Sequence, residues 1–238
     1  FIADAPREEY QMDLLFFADE PGAVKIALLM VDIFSKYTQI CPVKTKQIPD
    51  VLIAIKECLI KMKGKPKTIY SDNEGSFIST QIQTYFKDEG IRHLTTLGHA
   101  PVAERQIRTA KDMIYKRIEH TKQNWWEVLY PVLLTYNNKM VHSVTKFTPA
   151  DAMKPSNTSE VKFNLELKSR HSRKYPNIAI SDYVRVFKKK DKLDKERVSN
   201  WSADKYKVID IQESMGQKFY VLEGKAKALM RSELLLLD

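Results

Sequence analysis

Hydrophobic and polar positions follow two different periods along residues 10–153. Short runs rich in aliphatic, aromatic and β-branched residues predict five strands, at 10–17, 25–34, 38–43, 68–72 and 91–96. Apolar positions at helical spacing predict helices at 51–62, 80–87, 102–120 and 125–136, and a further short helix begins at Thr148. Three strands in close succession, then alternating helices and strands, predict an α/β domain built on one mixed sheet.

The pattern changes after residue 155. Residues 156–180 are polar, basic and poorly periodic, which predicts a linker. Short alternating runs at 182–187, 206–211, 219–222 and 228–236, with turns at Gly216 and Gly224, predict a small all-β barrel. We therefore expect a domain at 1–155, a linker at 156–180 and a barrel at 181–238.

The positive charge is unevenly distributed. The net charge of the 238 residues is +9. The first 155 residues contribute +3 of it, and the remaining 83 contribute +6. A basic excess attracts phosphate backbones, although a soluble protein without such a partner can also be basic. Charge alone leaves both interpretations open.

Other sequence features exclude several classes of protein. No apolar run approaches the roughly 18 residues of a membrane span, and no signal-peptide pattern opens the chain. Cys41 and Cys58 form no CxxC motif, so we expect buried free thiols and an intracellular, reducing compartment. The five histidines show no zinc-ligand spacing, and we expect no structural zinc site.

Three carboxylates occupy positions that suit a metal site. Asp13 interrupts the first strand, Asp72 ends the fourth, and Glu104 opens the long helix. If the first and fourth strands are neighbours, the two aspartates lie side by side and the helix brings Glu104 over them. Carboxylates are the ligands that Mg²⁺ prefers, and a pair of ions can activate the attacking oxygen and stabilise the leaving oxygen in phosphoryl transfer.

Each carboxylate also has a simpler interpretation. Asp13 can be a hydrogen-bonded acid on an edge strand. Asp72 can form an Asx turn ahead of Gly75. Glu104 can stabilise the helix dipole. Spacing alone does not decide between these interpretations and a metal site.

Several short motifs stand near the ends of the predicted elements. They are Gln11-Met12-Asp13, Val31-Asp32-Ile33-Phe34-Ser35-Lys36-Tyr37, Tyr70-Ser71-Asp72-Asn73-Glu74-Gly75-Ser76-Phe77, Ala103-Glu104-Arg105-Gln106-Ile107-Arg108-Thr109, Tyr136-Asn137-Asn138, His142-Ser143-Val144-Thr145 and Thr148-Pro149. Together, over residues 10–153, they resemble the catalytic core of retroviral-type integrases, the DD-E recombinases with a ribonuclease H-like fold. The form around Glu104 is most similar to integrases of Polinton (Maverick) elements and related virophages. From residue 182 onward, the Asp-Tyr-Val-Arg-Val run and Trp201-Ser202 resemble the SH3-like C-terminal DNA-binding barrel of the same proteins.

The resemblance implies roles for individual residues. Asp13, Asp72 and Glu104 match the catalytic, metal-binding triad, which implies two Mg²⁺ or Mn²⁺ ions per active site. Asp32 matches an acid that is not a metal ligand in the family. Basic residues expected to contact DNA lie on the long helix and in the barrel: Arg105, Arg108, Lys111, Arg185, Lys188, Lys189, Lys190, Lys192, Lys195 and Arg197. For the barrel cluster, a solvated loop or a nuclear localisation signal is the alternative.

The sequence departs from the family pattern in three places. Thirty-one residues separate Asp72 from Glu104, fewer than the family often has, so we expect a shorter and stiffer connection before the helix. Glu74 stands where the family usually has glycine and adds a carboxylate near the site. The zinc-binding domain that often precedes the core is not among these 238 residues.

The function implied by the resemblance is integration. The enzyme would process the 3′ ends of an element's DNA and join them to target DNA. The expected partners are double-stranded DNA and further copies of the chain, as a dimer or tetramer, with no membrane. The expected location is the host nucleus or the site where the element's DNA replicates. Two alternatives remain: a captured protein that binds DNA or chromatin without cutting, and a plain nuclease of the same fold.

Overall fold

The computed structural model describes residues 2–17, 24–96, 101–170, 175–188, 199–214 and 217–237. The chain forms two compact units, Phe1–His171 and Ser172–Asp238. Among the described residues, no helix is long and apolar enough to cross a membrane.

The first unit is built on a mixed five-stranded sheet. Its strands are β1 (Glu9–Phe16), β2 (Ile26–Asp32), β3 (Thr38–Val43), β4 (Thr68–Ser71) and β5 (Arg92–Thr95). Their order across the sheet is β3-β2-β1-β4-β5. The first three strands form an antiparallel meander, whereas β4 runs parallel to β1 and β5 runs parallel to β4. The predicted α/β domain with one mixed sheet is confirmed.

Helices cover both faces of this sheet. They are α1 (Ile48–Lys61), α2 (Thr80–Asp88), α3 (Pro101–Thr121), α4 (Trp125–Lys139), α5 (Pro149–Ala152) and α6 (Thr158–Arg170). Side chains of β1 alternate between the two layers because successive residues of a strand point to opposite faces. Tyr10 and Met12 belong to the core that contains α1 and α2, whereas Leu15 and Phe17 belong to the core that contains α3 and α4.

Two cysteines meet inside the α1 and α2 core. Cys41 on β3 and Cys58 on α1 are free and fully buried, as the sequence predicted. Their sulfur atoms are 2.8 Å apart. The pair fixes α1 against the meander as part of the apolar packing.

Helix α6 differs from the irregular linker predicted for 156–180. Two residues one turn apart, Val161 and Leu165, are buried. Asn164 donates its side-chain amide to the carbonyl oxygen of Thr145, 3.1 Å away, within the same unit. One pair of buried apolar residues produces only a weak periodic signal, which is why the sequence pattern missed this helix.

The second unit is an all-antiparallel sheet. Its strands are β6 (Tyr183–Val186), β7 (Tyr206–Ser214), β8 (Gln217–Leu222), β9 (Leu229–Met230) and β10 (Leu234–Leu236), in the order β10-β6-β7-β8-β9. Val184, Val208, Leu222 and Leu234 lie in its buried core. Gly224, with φ of +73°, lies in the turn after β8, and Gly216 falls outside the described residues.

The strand predicted at 228–236 is two strands rather than one. A 3₁₀ turn, Arg231–Glu233, separates β9 from β10. The Glu233 carboxylate accepts a hydrogen bond of 2.8 Å from the backbone N–H of Met230, which closes the turn locally. The chain therefore changes partner, so that β9 pairs with β8 and β10 pairs with β6.

Candidate active site

The sheet brings two of the three predicted acids to the same level. In the parallel β1–β4 pair, Gln11 lies opposite Tyr70. Asp13 and Asp72 each come two residues later, so they stand side by side, Asp13 within β1 and Asp72 directly after β4. The sequence-based expectation that the first and fourth strands are neighbours is therefore correct.

Helix α3 delivers the third acid. It packs on the face of β1 that carries Leu15, through buried residues that include Ala103, Ala110 and Ile114. Glu104 lies in its first turn, directly after buried Ala103, and is itself exposed. Strand β1 and helix α3 thus contribute acids to one region of the unit.

The raised pKa of Asp13 indicates that several other acids lie close to it. The pKa of Asp13 is raised from 3.8 to about 7, chiefly by burial and next by the charge of Asp72. Glu104 and Glu74 add smaller increments, against a hydrogen bond from the Leu14 backbone N–H, 2.7 Å long, that lowers it. A second charge disfavours the ionised form of a carboxylate only at short range. All three neighbouring acids therefore raise the pKa of Asp13.

The carboxylate oxygens of Asp13, Asp72 and Glu104 are ligands of the kind that a hard divalent cation prefers. An ion here would bind oxygen ligands and would reverse the repulsion that disfavours ionised Asp13. Among the described residues, however, no three histidine, cysteine, aspartate or glutamate side chains are gathered closely enough to hold a metal. The acids are coupled electrostatically without forming a closed ligand cluster.

Asp72 also forms the local turn that was its simpler interpretation. Its Oδ1 accepts a hydrogen bond of 3.2 Å from the backbone N–H of Glu74. Glu74 in turn lies 3.4 Å from the ammonium group of Lys46, and both side chains are partly exposed. A carboxylate has about four acceptor sites, so one turn bond does not exhaust Asp72. The lysine offsets part of the extra charge that Glu74 brings to the site.

Two polar groups that sequence analysis did not single out support the acids. The first is Gln11, buried and two residues before Asp13, whose side-chain oxygen accepts hydrogen bonds from the backbone of α3. Its sequence signals were its place in the Gln11-Met12-Asp13 motif and its polar side chain inside a strongly apolar strand.

The second is a short network behind Asp72. His93 Nε2 lies 2.9 Å from the hydroxyl of Ser71, and the side-chain amide of Gln83 lies 2.7 Å from His93 Nδ1. Burial lowers the pKa of His93 to about 4, so its ring is neutral at pH 7. An amide N–H directed at Nδ1 leaves the ring proton on Nε2, facing Ser71. The network joins β4, β5 and α2 at the end of the strand that precedes Asp72.

Asp32 has a different environment. It is fully buried, and its oxygens accept hydrogen bonds from the backbone N–H of Arg7 (2.6 Å), the backbone N–H of Ser35 (2.7 Å) and the Ser35 hydroxyl (2.9 Å). These bonds close the turn after β2. These hydrogen bonds explain why a carboxylate is buried at Asp32, and no metal ion is needed to stabilise it.

The predicted DNA-contacting residues fall into three groups. Arg105 and Arg108 are exposed on α3, whereas Lys111 is partly buried with its ammonium group 5.5 Å from the centre of the Phe17 ring. In the second unit, Arg185 is partly buried on β6 and Lys188 is exposed. The remaining five lie outside the described residues: Lys189, Lys190, Lys192, Lys195 and Arg197.

Comparisons with known proteins find integrases and retroelement polyproteins similar to this chain. Residues 3–101 match the family model described as Integrase core domain. The chain is 29% identical over 121 residues to the retrovirus-related Pol polyprotein from transposon RE1 of Arabidopsis thaliana, covering 48% of this chain and 8% of that polyprotein. It is 27% identical over 152 residues to the corresponding polyprotein from transposon gypsy of Drosophila melanogaster, covering 61% of this chain and 14% of the polyprotein. The chain therefore spans a small part of these relatives.

Two solved structures share the fold. The HTLV-2 integrase catalytic core domain in complex with magnesium, in its trimeric form, matches with a TM-score of 0.56 and 20% identity, over 63% of this chain and 98% of that one. The simian T-cell lymphotropic virus intasome in complex with PP2A regulatory subunit B56 gamma matches with a TM-score of 0.66 and 18% identity, over 100% of this chain and 81% of that one. The first unit thus has the ribonuclease H-like fold of an integrase catalytic core, and the second sheet is consistent with an SH3-like C-terminal domain.

Proposed function

We propose that this chain acts as an integrase that processes the 3′ ends of an element's DNA and joins them to target DNA. Asp13, Asp72 and Glu104 are its catalytic, metal-binding residues. The observation that carries the proposal is the meeting of a partly buried strand acid with the acids of a neighbouring strand end and a helix start. Burial, together with repulsion from the neighbouring acids, raises the pKa of Asp13 to about 7.

Such a set of acids binds Mg²⁺ or Mn²⁺ ions, two per active site, which would supply activation of the attacking oxygen and stabilisation of the leaving oxygen. Asp13 would be held ionised by a cation bound among the three acids. Arg105 and Arg108, exposed on the helix that bears Glu104, attract the phosphates of the DNA end. The SH3-like unit adds phosphate contacts without base specificity, through Arg185, Lys188 and the basic run that follows.

Further parts of the proposal rest on family resemblance. Joining two DNA ends requires two active sites, so the working form is a dimer or tetramer. The HTLV-2 integrase catalytic core has dimeric and trimeric forms, and the simian virus protein forms part of an intasome. The sequence around Glu104 supports an origin in a Polinton-type element. Joining would take place in the host nucleus or where the element's DNA replicates.

The experiment that tests the function is a strand-transfer assay with a pre-cut donor end, a labelled target and Mg²⁺. The wild-type chain should join the two DNAs. Asp13→Asn, Asp72→Asn and Glu104→Gln should each abolish joining, while a filter-binding assay shows DNA affinity within about threefold of wild type. Mg²⁺-dependent joining by any of these variants would disprove the triad assignment.

A second candidate is a captured protein that binds DNA or chromatin without cutting. The absence of a closed ligand cluster among the described acids favours it. In the same assay, this protein would bind DNA and neither cleave nor join it. A plain nuclease of the same fold would cleave the DNA without joining it, so the three functions give three distinct product patterns.

A further inference from the structure

We propose that Gln11 is a positioning residue, which fixes the first turn of α3 and thereby holds Glu104 over Asp13. The proposal rests on the proposed function, because it gives Gln11 a role toward the acids of that site. It concerns how the site is held, and no contact between Gln11 and a substrate is involved.

The N–H groups at the start of helix α3 are capped from outside the helix. A helix leaves its first four backbone N–H groups without intrahelical partners, and a polar side chain at the preceding residue commonly accepts from the second or third of them. In α3, Pro101 has no N–H at all, and Val102 and Ala103 supply the next two. The acceptor for both of these N–H groups comes from elsewhere in the unit.

Gln11 supplies that acceptor from the sheet. Its Oε1 accepts hydrogen bonds of 3.0 Å from the N–H of Val102 and 3.0 Å from the N–H of Ala103. The side chain is only 4% exposed. Gln11 itself lies on the central strand, opposite Val31 of β2 and Tyr70 of β4, so its backbone is held on both sides.

The position of Gln11 couples two of the acids. Side chains two residues apart on a strand point to the same face, so Gln11 and Asp13 share the face on which α3 packs. The residue that donates the second hydrogen bond, Ala103, directly precedes Glu104. A single amide oxygen thus links the strand that carries Asp13 to the turn that carries Glu104. Loss of that oxygen leaves two buried N–H groups without partners and frees the helix start to shift.

Asn137 provides a matched control. It is 2% exposed and also makes two hydrogen bonds to backbone, accepting from Thr38 N–H at 3.0 Å and donating to the Thr38 carbonyl oxygen at 2.8 Å. Those bonds tie α4 to β3, with neither element carrying a triad acid. Gln11→Met and Asn137→Leu each replace a buried amide by an apolar side chain of similar size, so a merely structural role predicts equal consequences.

The first test measures binding of Mn²⁺ alone by electron paramagnetic resonance, together with the joining rate of the folded protein at saturating DNA. Gln11→Met should lower Mn²⁺ affinity and joining rate by about tenfold or more, as loss of groups that orient metal ligands does. Asn137→Leu should leave both within about twofold of wild type at a similar loss of thermal stability. Equal effects of the two variants on Mn²⁺ affinity and joining would overturn the positioning role while leaving the proposed function intact.

The second test is independent of catalysis. Amide hydrogen exchange at Val102 and Ala103 should become faster in Gln11→Met and unchanged in Asn137→Leu, and Gln11→Glu, which retains an acceptor of the same length, should restore slow exchange. Unchanged exchange at these two amides in Gln11→Met would overturn the proposal whatever the joining assay gives. If wild type shows no joining but exchange responds as stated, the proposed function fails and the anchoring of α3 by Gln11 stands.

Discussion

Two acids of the same sheet, Asp13 and Asp32, have opposite surroundings. Asp32 is fully buried, yet two backbone N–H groups and one hydroxyl donate to its oxygens. Asp13 is less buried, accepts a hydrogen bond from the Leu14 backbone N–H, and has its pKa raised by three other acids. A buried acid surrounded by hydrogen-bond donors stabilises the local fold. A buried acid surrounded by other acids is one whose ionised form a cation would stabilise. Burial alone does not distinguish them, since it raises the pKa of both.

The largest expected difference lies in activity. Asp13→Asn should lower the joining rate by at least about three orders of magnitude, because the charge that binds the cation is gone. Asp32→Asn should leave the rate per folded molecule within about threefold of wild type. Single-turnover strand transfer, normalised to the folded fraction, measures both. Comparable losses in the two variants would remove the distinction between the two acids.

Stability should respond in the opposite way. Asp32→Asn places an amide N–H₂ against groups that themselves donate, so the free energy of unfolding should fall by about 2–3 kcal/mol. Urea denaturation followed by circular dichroism measures this loss. Asp13→Asn, examined beside it without divalent cations at pH 8, should be no less stable than wild type. A destabilised Asp13→Asn protein would indicate that Asp13 holds the fold rather than a cation.

The pH dependence of stability provides a finer comparison. The pKa of Asp13 is about 7 in the folded protein and about 3.9 in an unfolded chain, so between these values the folded state binds the extra proton. Stability without divalent cations should therefore fall as pH rises from about 4 to about 7, by on the order of 3 kcal/mol from this residue. Urea midpoints across this range should fall less steeply for Asp13→Asn. Parallel curves for the variant and wild type would contradict the raised pKa.

The smallest expected effect is stabilisation by the cation itself. Mg²⁺ at ten times its dissociation constant should raise the free energy of unfolding at pH 8 by about 1.4 kcal/mol. Differential scanning calorimetry with Mg²⁺ and with EDTA measures it. The increase should be absent in Asp13→Asn and retained in Asp32→Asn. An increase that survives Asp13→Asn would place the ion elsewhere on the protein.

The sequence was informative wherever a local period decided the structure. Strong apolar periods predicted β1–β5 and α1–α4, and the positions of Asp13, Asp72 and Glu104 on those elements followed. Long-range partners were not predictable in this way. The acceptor for Val102 and Ala103 lies about ninety residues away along the chain, and only the packing of α3 on β1 brings it close. The apolar pattern did not predict helix α6, because this helix buries only Val161 and Leu165.

The way Asn137 meets β3 has a consequence for how copies of the chain can associate. Thr38 presents its N–H and carbonyl on the side of β3 that faces away from β2, and the Asn137 amide occupies both, as a neighbouring strand would. Pro42, four residues along the same edge, has no N–H to offer. Unpaired strand edges invite addition of a strand from another molecule, and this edge is blunted at two points. Sheet extension across β3 is therefore disfavoured, and an oligomer of this chain would have to form through other surfaces of the first unit.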